Sequence, residues 1–208
     1  MVLLVRHGKT PTTGKVLPGR APGLHLSEEG RNQAEAVAAR IAALAEAGAS
    51  RPAAVYASPL ERTAETAKPI ARQLGLRVRT ERGLLECDFG TWTGASLKAL
   101  SKKQEWGQVQ RNPSGFRFPG GESFLEMQAR ITSAIARLTA LHRGETIVAV
   151  SHADPIKAAV ATAAGTHLDL FQRLTVSPCS VSVLAYSGAG PHVLAVNSTG
   201  ALTELVLS

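Results

Sequence analysis

Features that would place this chain among secreted, membrane or disulfide-stapled proteins are scarce. Its 208 residues include only two cysteines, Cys87 and Cys179, so it needs no disulfide framework, and we interpret both as reduced thiols. No uninterrupted run approaches the ~20 apolar residues of a membrane-spanning helix, and the opening apolar run, which ends at Val5, is too short for a secretory signal. We therefore expect a cytoplasmic protein.

Aromatic and acidic residues are also few. Aromatic residues form 4% of the chain, and the basic residues are not interleaved with them as in a platform for nucleic acid. The 23 Lys and Arg residues outnumber the 16 Asp and Glu residues, which leaves a formal net charge of +7. A positive excess favours anionic ligands, such as phosphate esters, nucleic acid or an acidic membrane face, and does not by itself choose among them. We expect a small anionic molecule as partner, with neither nucleic acid nor a membrane, and the oligomeric state stays open.

Short apolar segments alternate with amphipathic segments along the chain. Runs typical of buried strands occur at residues 2–5, 53–57, 76–80 and 146–151. Caps at Ser27, Ser58 and Ser123, with apolar spacings of three and four residues, predict helices at residues 27–48, 58–74, 123–144 and from 154 onward, and Gly75 is expected to end the second. Further strands are predicted at residues 176–186, 193–196 and 202–207.

This alternation predicts an α/β fold. The composition, 44% hydrophobic and 19% charged, supports a substantial core, and the length is typical of one domain, which we predict over residues 1–208. Strands separated by helices pair in parallel through right-handed crossovers. The expected architecture is single-domain, with a mostly parallel central sheet flanked by helices on both faces.

Two irregular features interrupt the pattern. Pro69 lies inside the second helical segment and predicts a kink or an early helix end there. Residues 83–121 are glycine-rich and predict a cover with one short helix around residues 97–106. Trp92 and Trp106 lie in the part of this cover from 90 to 121, where lining a pocket mouth and anchoring the loop are equally consistent with the sequence.

The polar residues that follow the predicted parallel strands all fall at the carboxyl edge of the sheet, where such sheets place ligands. They are Arg6 and His7, Ser58 and Arg62, Glu86, and His152. Two histidines with two arginines would form a cationic pocket sized for a small dianion such as phosphate. A neutral imidazole is a competent nucleophile towards phosphorus, and arginines clamp the oxygens of a phosphoryl group in transfer.

Departure of an alkoxide from phosphorus also requires a proton. Glu86 is the acidic side chain that follows a strand near this edge without an obvious capping role, so it is the candidate proton donor. Asp88 and Glu81 stay open as alternatives. The sequence has no HxxEH, HExxH or paired CxxC spacing, so we expect no metal and no other cofactor. His25, His142, His167 and His192 are interpreted as surface or loop histidines without partners.

Five segments in this order resemble the histidine phosphatase superfamily, in its phosphoglycerate mutase-like branch. They are LVRHG at 4–8, SPLERTAET at 58–66, LECDFGTWTG at 85–94, PGGES at 119–123 and VSH at 150–152. The resemblance covers most of the chain, and each segment lies in the expected strand-end context. It implies the fold described above and a reaction through phosphohistidine.

The resemblance also implies a role for each matching residue. His7 corresponds to the phosphorylated nucleophile, Glu86 to the proton donor, and the phosphate-binding partners correspond to Arg6, Arg62 and His152. Residues expected to contact substrate are Thr13, Gly19, Arg20 and Ala153. Thr13 stands where relatives often carry asparagine, and Ala153 replaces the glycine common after the second histidine. These two departures bear on substrate identity more than on reaction class.

The expected function is that of a metal-independent phosphatase that hydrolyses small phosphate monoesters. Two alternatives stay open: a phosphoglycerate mutase-type phosphotransferase, and a catalytically weak module that binds a phosphorylated ligand. The modest length between Glu86 and His152 favours hydrolysis, because a mutase must retain a phosphorylated cofactor between half-reactions under a longer lid.

Overall fold

The computed structural model describes residues 1–46 and 50–203. The strands are β1 Val2–Arg6, β2 Pro52–Ala57, β3 Val78–Thr80, β4 Thr146–Ser151, β5 Val181–Ser187 and β6 Gly190–Ser198. The helices are α1 Glu28–Glu46, α2 Glu61–Leu74, α3 Leu97–Leu100, α4 Gln104–Arg111, α5 Phe124–Leu141 and α6 Ala153–Ala163. None of the described helices is both long and apolar enough to cross a membrane.

One sheet of six strands organises the chain, in the order β3-β2-β4-β1-β5-β6. The first four of these strands are parallel, whereas β5 runs antiparallel to β1 and β6 antiparallel to β5. Val2 and Leu4 of β1 belong to one buried core, lined by α5 and α6, while Leu3 and Val5 belong to a second, lined by α1 and α2. The prediction of an α/β fold with a mostly parallel sheet and helices on both faces is confirmed.

The second helix departs from prediction at its beginning and at Pro69. It begins at Glu61, with Leu60 as the preceding residue, so the prediction that Ser58 caps it is wrong. Pro69 does not end it, because Ile70, Ala71 and Leu74 beyond it are buried in the core, and their packing outweighs one lost backbone hydrogen bond. Gly75, in the left-handed conformation at φ 66°, ends the helix as expected.

Other boundaries shift because tertiary contacts decide them. β3 covers only residues 78–80, and the single short helix expected at 97–106 is two helices, α3 and α4. The strand expected from 176 begins at Val181, after a turn in which Cys179 has a φ of 55°. The predicted helix end at residue 48 and residues 204–207 of the last predicted strand lie outside the described residues, and residues 202–203 are not in a strand.

The loop that follows β1 crosses the beginning of α1 at a distance that excludes side chains. A Cβ on Gly8 would lie 2.5 Å from the carbonyl oxygen of Gly30, and a Cβ on Gly30 would lie 2.0 Å from that of Lys9. Ser27 caps α1 as predicted, since its Oγ accepts the Gly30 N–H at 3.0 Å, and its own N–H donates to the Lys9 carbonyl at 2.9 Å. This crossing fixes the path of the chain immediately after His7.

Replacing Gly30 with alanine tests this contact. The substitution should lower the free energy of unfolding, whereas Gly→Ala at an unconstrained position in a helix raises it. Gly→Ala in a helix normally stabilises by about 0.5–1 kcal/mol. Here the added methyl group meets backbone, and we expect Gly30→Ala to destabilise by about 1–3 kcal/mol in urea unfolding. Gly107→Ala in α4 is the control: its Cβ meets only the end of the Arg111 side chain, at 2.9 Å, so stability should hold or rise. Equal stability of both variants would contradict the close crossing.

Candidate active site

The carboxyl ends of β1 and β4 bring two histidines together. His7 follows β1, and its N–H donates to the carbonyl of Ser151 at 3.0 Å, at the end of the neighbouring strand. His152 is the next residue after β4, and the centroids of the two imidazole rings are 5.2 Å apart, with the ring planes at 63°. His7 is 5% exposed and His152 is fully buried. The expectation that these residues share one edge of the sheet matches the geometry.

His7 is held in one tautomer. Its Nδ1 lies 2.8 Å from the carbonyl oxygen of Gly8, which can only accept, so Nδ1 carries the hydrogen and Nε2 keeps its lone pair. Burial, with the charges of Arg62 and Arg6, lowers the pKa of His7 to about 3. The ring is therefore neutral near pH 7 and offers a free nitrogen.

Two arginines stand beside these rings. Arg62, fully buried in the first turn of α2, donates from Nη2 to the carbonyl of Gly19 at 2.7 Å, and Arg6 donates from Nη1 to the carbonyl of Val176 at 2.6 Å. Among the described residues, nothing accepts from Nε and Nη1 of Arg62 or from Nε of Arg6, although these atoms are buried. Burial lowers the pKa of both side chains, yet a guanidinium keeps its charge in proteins. Unused buried donors of this kind suit an oxyanion with several acceptor oxygens.

His152 is oriented by a residue whose function the sequence analysis missed. Its Nε2 lies 2.9 Å from the hydroxyl of Ser58, whose N–H donates to Val150 at 3.0 Å. Burial and the charge of Arg62 lower the pKa of His152 well below its ordinary value, so the ring is neutral. Its Nδ1 is buried without a partner in the described part of the chain. The available signal was the position of Ser58, directly after a buried strand.

Glu86 carries a carboxyl group suited to proton transfer. Its side chain is buried, Oε1 accepts the N–H of Cys87 at 3.0 Å, and Oε2 lies 4.0 Å from Nδ1 of His152. Burial and the charge of Asp154 raise the pKa of Glu86 to about 7, against the opposing effect of Arg62. Near neutral pH the group is therefore available in both protonation states.

The two alternative acids are engaged elsewhere. Asp88 accepts the N–H of Gly90 at 3.0 Å and lies 3.5 Å from the guanidinium of Arg20. Glu81 accepts the N–H of Gly83 at 2.7 Å and pairs with Arg137 at 2.8 Å. Glu86 is therefore the acid of this set that lies next to the histidines.

The residues expected to contact substrate have protein partners instead in three of four cases. Gly19 has a φ of 52° and uses its carbonyl to hold Arg62. Arg20 donates to the carbonyl of Glu86 at 2.8 Å, and Thr13 Oγ1 accepts the N–H of Thr10 at 2.9 Å. Ala153 opens α6, where a backbone N–H has no acceptor within the helix. Contact of these four with substrate stays a prediction.

All four of the other histidines have polar neighbours, contrary to expectation. His25 pairs with Glu65, and His142 bridges the Tyr56 hydroxyl at 3.0 Å and Glu145 at 2.6 Å, so the statement that they lack partners is wrong. His167 also has a neighbour, Asp169, with 3.3 Å between Nδ1 and Oδ2. His192 is exposed on β6, near the hydroxyl of Ser187 at 3.3 Å.

The aromatic residues of the cover serve as anchors. Trp92 is buried and stacks on Trp106, with the centroids 6.4 Å apart, and it contacts Phe116 and Phe118. The anchoring interpretation of these tryptophans therefore describes the observed packing. Over residues 1–46 and 50–203, no group of three or more His, Cys, Asp or Glu is arranged to hold a metal ion.

Comparison with known proteins finds relatives by sequence and a shared fold among solved structures. A bifunctional protein of Mycobacterium tuberculosis is 34% identical over 205 residues, which are 97% of this chain and 54% of the relative, so the chain spans about half the length of that protein. Phosphoserine phosphatase 1 of Hydrogenobacter thermophilus is 29% identical over 208 residues, covering 98% of this chain and 94% of the relative.

A solved structure shares the fold. A phosphoserine phosphatase mutant from Entamoeba histolytica, in complex with phosphoserine, superposes with a TM-score of 0.84 at 24% identity, over 97% of this chain and 98% of that one. The sequence profile of the histidine phosphatase superfamily (branch 1) matches residues 2–199. This chain therefore belongs to branch 1 of the histidine phosphatase superfamily, the phosphoglycerate mutase-like group.

Proposed function

We propose that this chain is a metal-independent phosphatase that hydrolyses small phosphate monoesters through phosphohistidine at His7. The observation that carries the proposal is a buried, neutral imidazole with a free Nε2, set beside the buried guanidinium of Arg62 and the partly buried guanidinium of Arg6, both of which have unused buried donors. The relatives named phosphoserine phosphatase support a phosphate ester as the substrate. The natural ester is left to a screen ranked by kcat/KM.

The first half-reaction transfers the phosphoryl group to the enzyme. Arg6 and Arg62 bind the oxygens of the dianion with their free N–H groups, and the Nε2 lone pair of His7 forms a bond to phosphorus. As the bond from phosphorus to the ester oxygen breaks, protonated Glu86 gives its proton to the leaving alkoxide. The Gly8 carbonyl, 2.8 Å from Nδ1, stabilises the positive charge that develops on the imidazole.

The second half-reaction returns the enzyme to its starting state. Glu86, now a carboxylate, takes a proton from water, and the water oxygen forms a bond to phosphorus while the bond from phosphorus to Nε2 breaks. Inorganic phosphate leaves, and His7 is again neutral. A pKa of about 7 for Glu86 suits a group that has to act first as acid and then as base.

The pairing of Arg20 supports hydrolysis over a mutase reaction. A phosphoglycerate mutase-type enzyme holds an ester with a second anionic group, which calls for a free cation beside the phosphate pocket. Arg20 contacts the carbonyl of Glu86, yet its guanidinium lies 2.8 Å from Glu122 and 3.5 Å from Asp88. We therefore propose that water is the acceptor of the phosphoryl group.

Replacing His7 tests the mechanism directly. Because His7 supplies the attacking nitrogen, we expect His7→Ala to release no phosphate from p-nitrophenyl phosphate in the presence of EDTA and to form no phosphoenzyme. The parent protein should turn over under the same conditions. His192→Ala, an exposed histidine on β6, is the matched control and should retain full activity. Turnover by His7→Ala, or a parent activity that disappears with EDTA, would overturn the proposal.

Glu86→Gln tests the proton donor. Alkyl esters need a proton on the leaving oxygen, so their kcat/KM, which reports the first half-reaction, should fall by about 10²–10⁴-fold, whereas kcat/KM for 2,4-dinitrophenyl phosphate should fall far less. The comparison uses kcat/KM because kcat also contains the second half-reaction, in which Glu86 is the base for both esters. The parent rate on the alkyl ester should fall as the pH rises past about 7, since the acid is active only while protonated, and the variant should lack this limb. Equal slowing of both esters would assign the proton to another group.

A further inference from the structure

One carboxylate, that of Glu122, connects three separate parts of the chain. Its Oε1 accepts from Nε of Arg130 at 2.8 Å, and its Oε2 accepts from Nη2 of Arg130 at 2.9 Å and from the N–H of Asp88 at 3.1 Å. Nη2 of Arg20 lies 2.8 Å from the same Oε2. Glu122 thus joins the loop after β1, which carries Arg20, to the cover and to α5, which carries Arg130.

Glu122 is ionised in this position. Its side chain is 19% exposed, and burial by itself opposes ionisation, but the hydrogen bond and charge of Arg130 hold the pKa of Glu122 below its usual range. Partly buried ion pairs with good hydrogen-bond geometry contribute more than exposed pairs do. Two hydrogen bonds therefore hold the guanidinium of Arg130 in a fixed direction. Nη2 of Arg20 lies at ion-pair distance from Glu122 without an aligned hydrogen bond, so Glu122 acts on Arg20 through charge.

Both guanidiniums reach the backbone carbonyl of Glu86. Arg20 donates to it from Nε at 2.8 Å, and Arg130 donates from Nη2 at 3.2 Å. Arg130 also donates from Nη1 to the carbonyls of Gly83 at 2.9 Å and Leu85 at 2.8 Å. The short segment that leads into Glu86 is therefore held by cations that a single carboxylate orients.

Fixing this carbonyl also fixes the side chain of Glu86. The carbonyl of Glu86 and the N–H of Cys87 belong to one planar trans peptide, so they point in opposite directions. With the oxygen held by two guanidiniums, the N–H is directed at Oε1 of Glu86, which it meets at 3.0 Å. Oε1 is thereby engaged, and Oε2 is the oxygen that faces Nδ1 of His152 at 4.0 Å.

We propose that Glu122 is a positioning residue for proton transfer: through Arg20 and Arg130 it sets the peptide between residues 86 and 87, and so aims Oε2 of Glu86 at the leaving group. This inference rests on the proposed function, in which Glu86 is the acid. Without Glu122, Arg20 has Asp88 as its remaining acidic partner, 3.5 Å away, and is free to turn from the Glu86 carbonyl. The segment that leads into Glu86 then no longer holds Oε2 of Glu86 in position beside His152.

Glu122→Gln tests the proposal, because it removes the charge and keeps the size of the side chain. We expect kcat/KM on an alkyl ester such as glycerol 2-phosphate, which reports the first half-reaction, to fall about 10- to 100-fold, and kcat/KM on 2,4-dinitrophenyl phosphate to change less than about 3-fold. Glu126→Gln is the matched control: Glu126 lies four residues on and also pairs with an arginine, Arg117, but that pair does not touch the Glu86 segment. In this control the ratio of the two rates should stay at the parent value.

A second variant keeps the test decisive if Glu122→Gln does not fold cooperatively. Arg20→Met removes one of the two donors to the Glu86 carbonyl and leaves that of Arg130, so it should show the same selective loss at smaller amplitude. Equal slowing of both esters by the folded variants, or no slowing, would overturn the positioning inference. Failure of the positioning inference leaves the proposed function intact as long as Glu86→Gln slows the alkyl ester selectively and His7→Ala is inactive. If Glu86→Gln slows both esters equally, the assignment of Glu86 as the acid is wrong instead.

Discussion

The properties of this site depend on two guanidiniums at the carboxyl edge of the sheet, that of Arg62, which is buried, and that of Arg6, which is partly buried. A buried charge is unfavourable unless hydrogen bonds and counter-charge compensate it. The fold supplies only part of this, through the carbonyls of Gly19 and Val176, and leaves further donors of Arg6 and Arg62 without a protein partner in the described ranges. A bound dianion would accept from these donors and balance their charge, so the free energy lost on burying them without partners would be recovered when phosphate binds.

The same positive field decides the state of the neighbouring groups. Together with burial it keeps His7 and His152 uncharged, so that Nε2 of His7 keeps its lone pair. Only one nitrogen of a neutral imidazole carries a lone pair, so the orientation of the His7 ring determines where that lone pair points. The carbonyl of Gly8 fixes that orientation, and the crossing of Gly8 over Gly30 keeps the carbonyl in place.

Whether a feature of the fold or site can be predicted from the sequence depends on how far apart along the chain the interacting residues lie. The parallel sheet and the meeting of His7 with His152 follow from local patterns, since strand ends and crossovers are encoded in short segments. The start of α2 did not follow, because Ser58 gives its hydroxyl to His152 instead of to a helix end. The partners of Arg20 could not be read from the chain either, since they come from residues 66 to 102 positions away and depend on how the cover folds.

Two glutamates in this region show why burial alone does not determine ionisation. Burial by itself would raise the pKa of both Glu86 and Glu122. The net result differs: the pKa of Glu86 is raised to about 7, whereas that of Glu122 lies below its usual range. The Glu122 carboxylate accepts two hydrogen bonds from the guanidinium of Arg130, whereas the Glu86 carboxylate accepts one from a neutral backbone N–H. Charge-assisted hydrogen bonds stabilise the ionised form more than neutral ones do. The guanidinium donors of Arg130 thus keep Glu122 ionised. Glu86, which has no such donor bonded to its carboxylate, can exchange a proton near neutral pH.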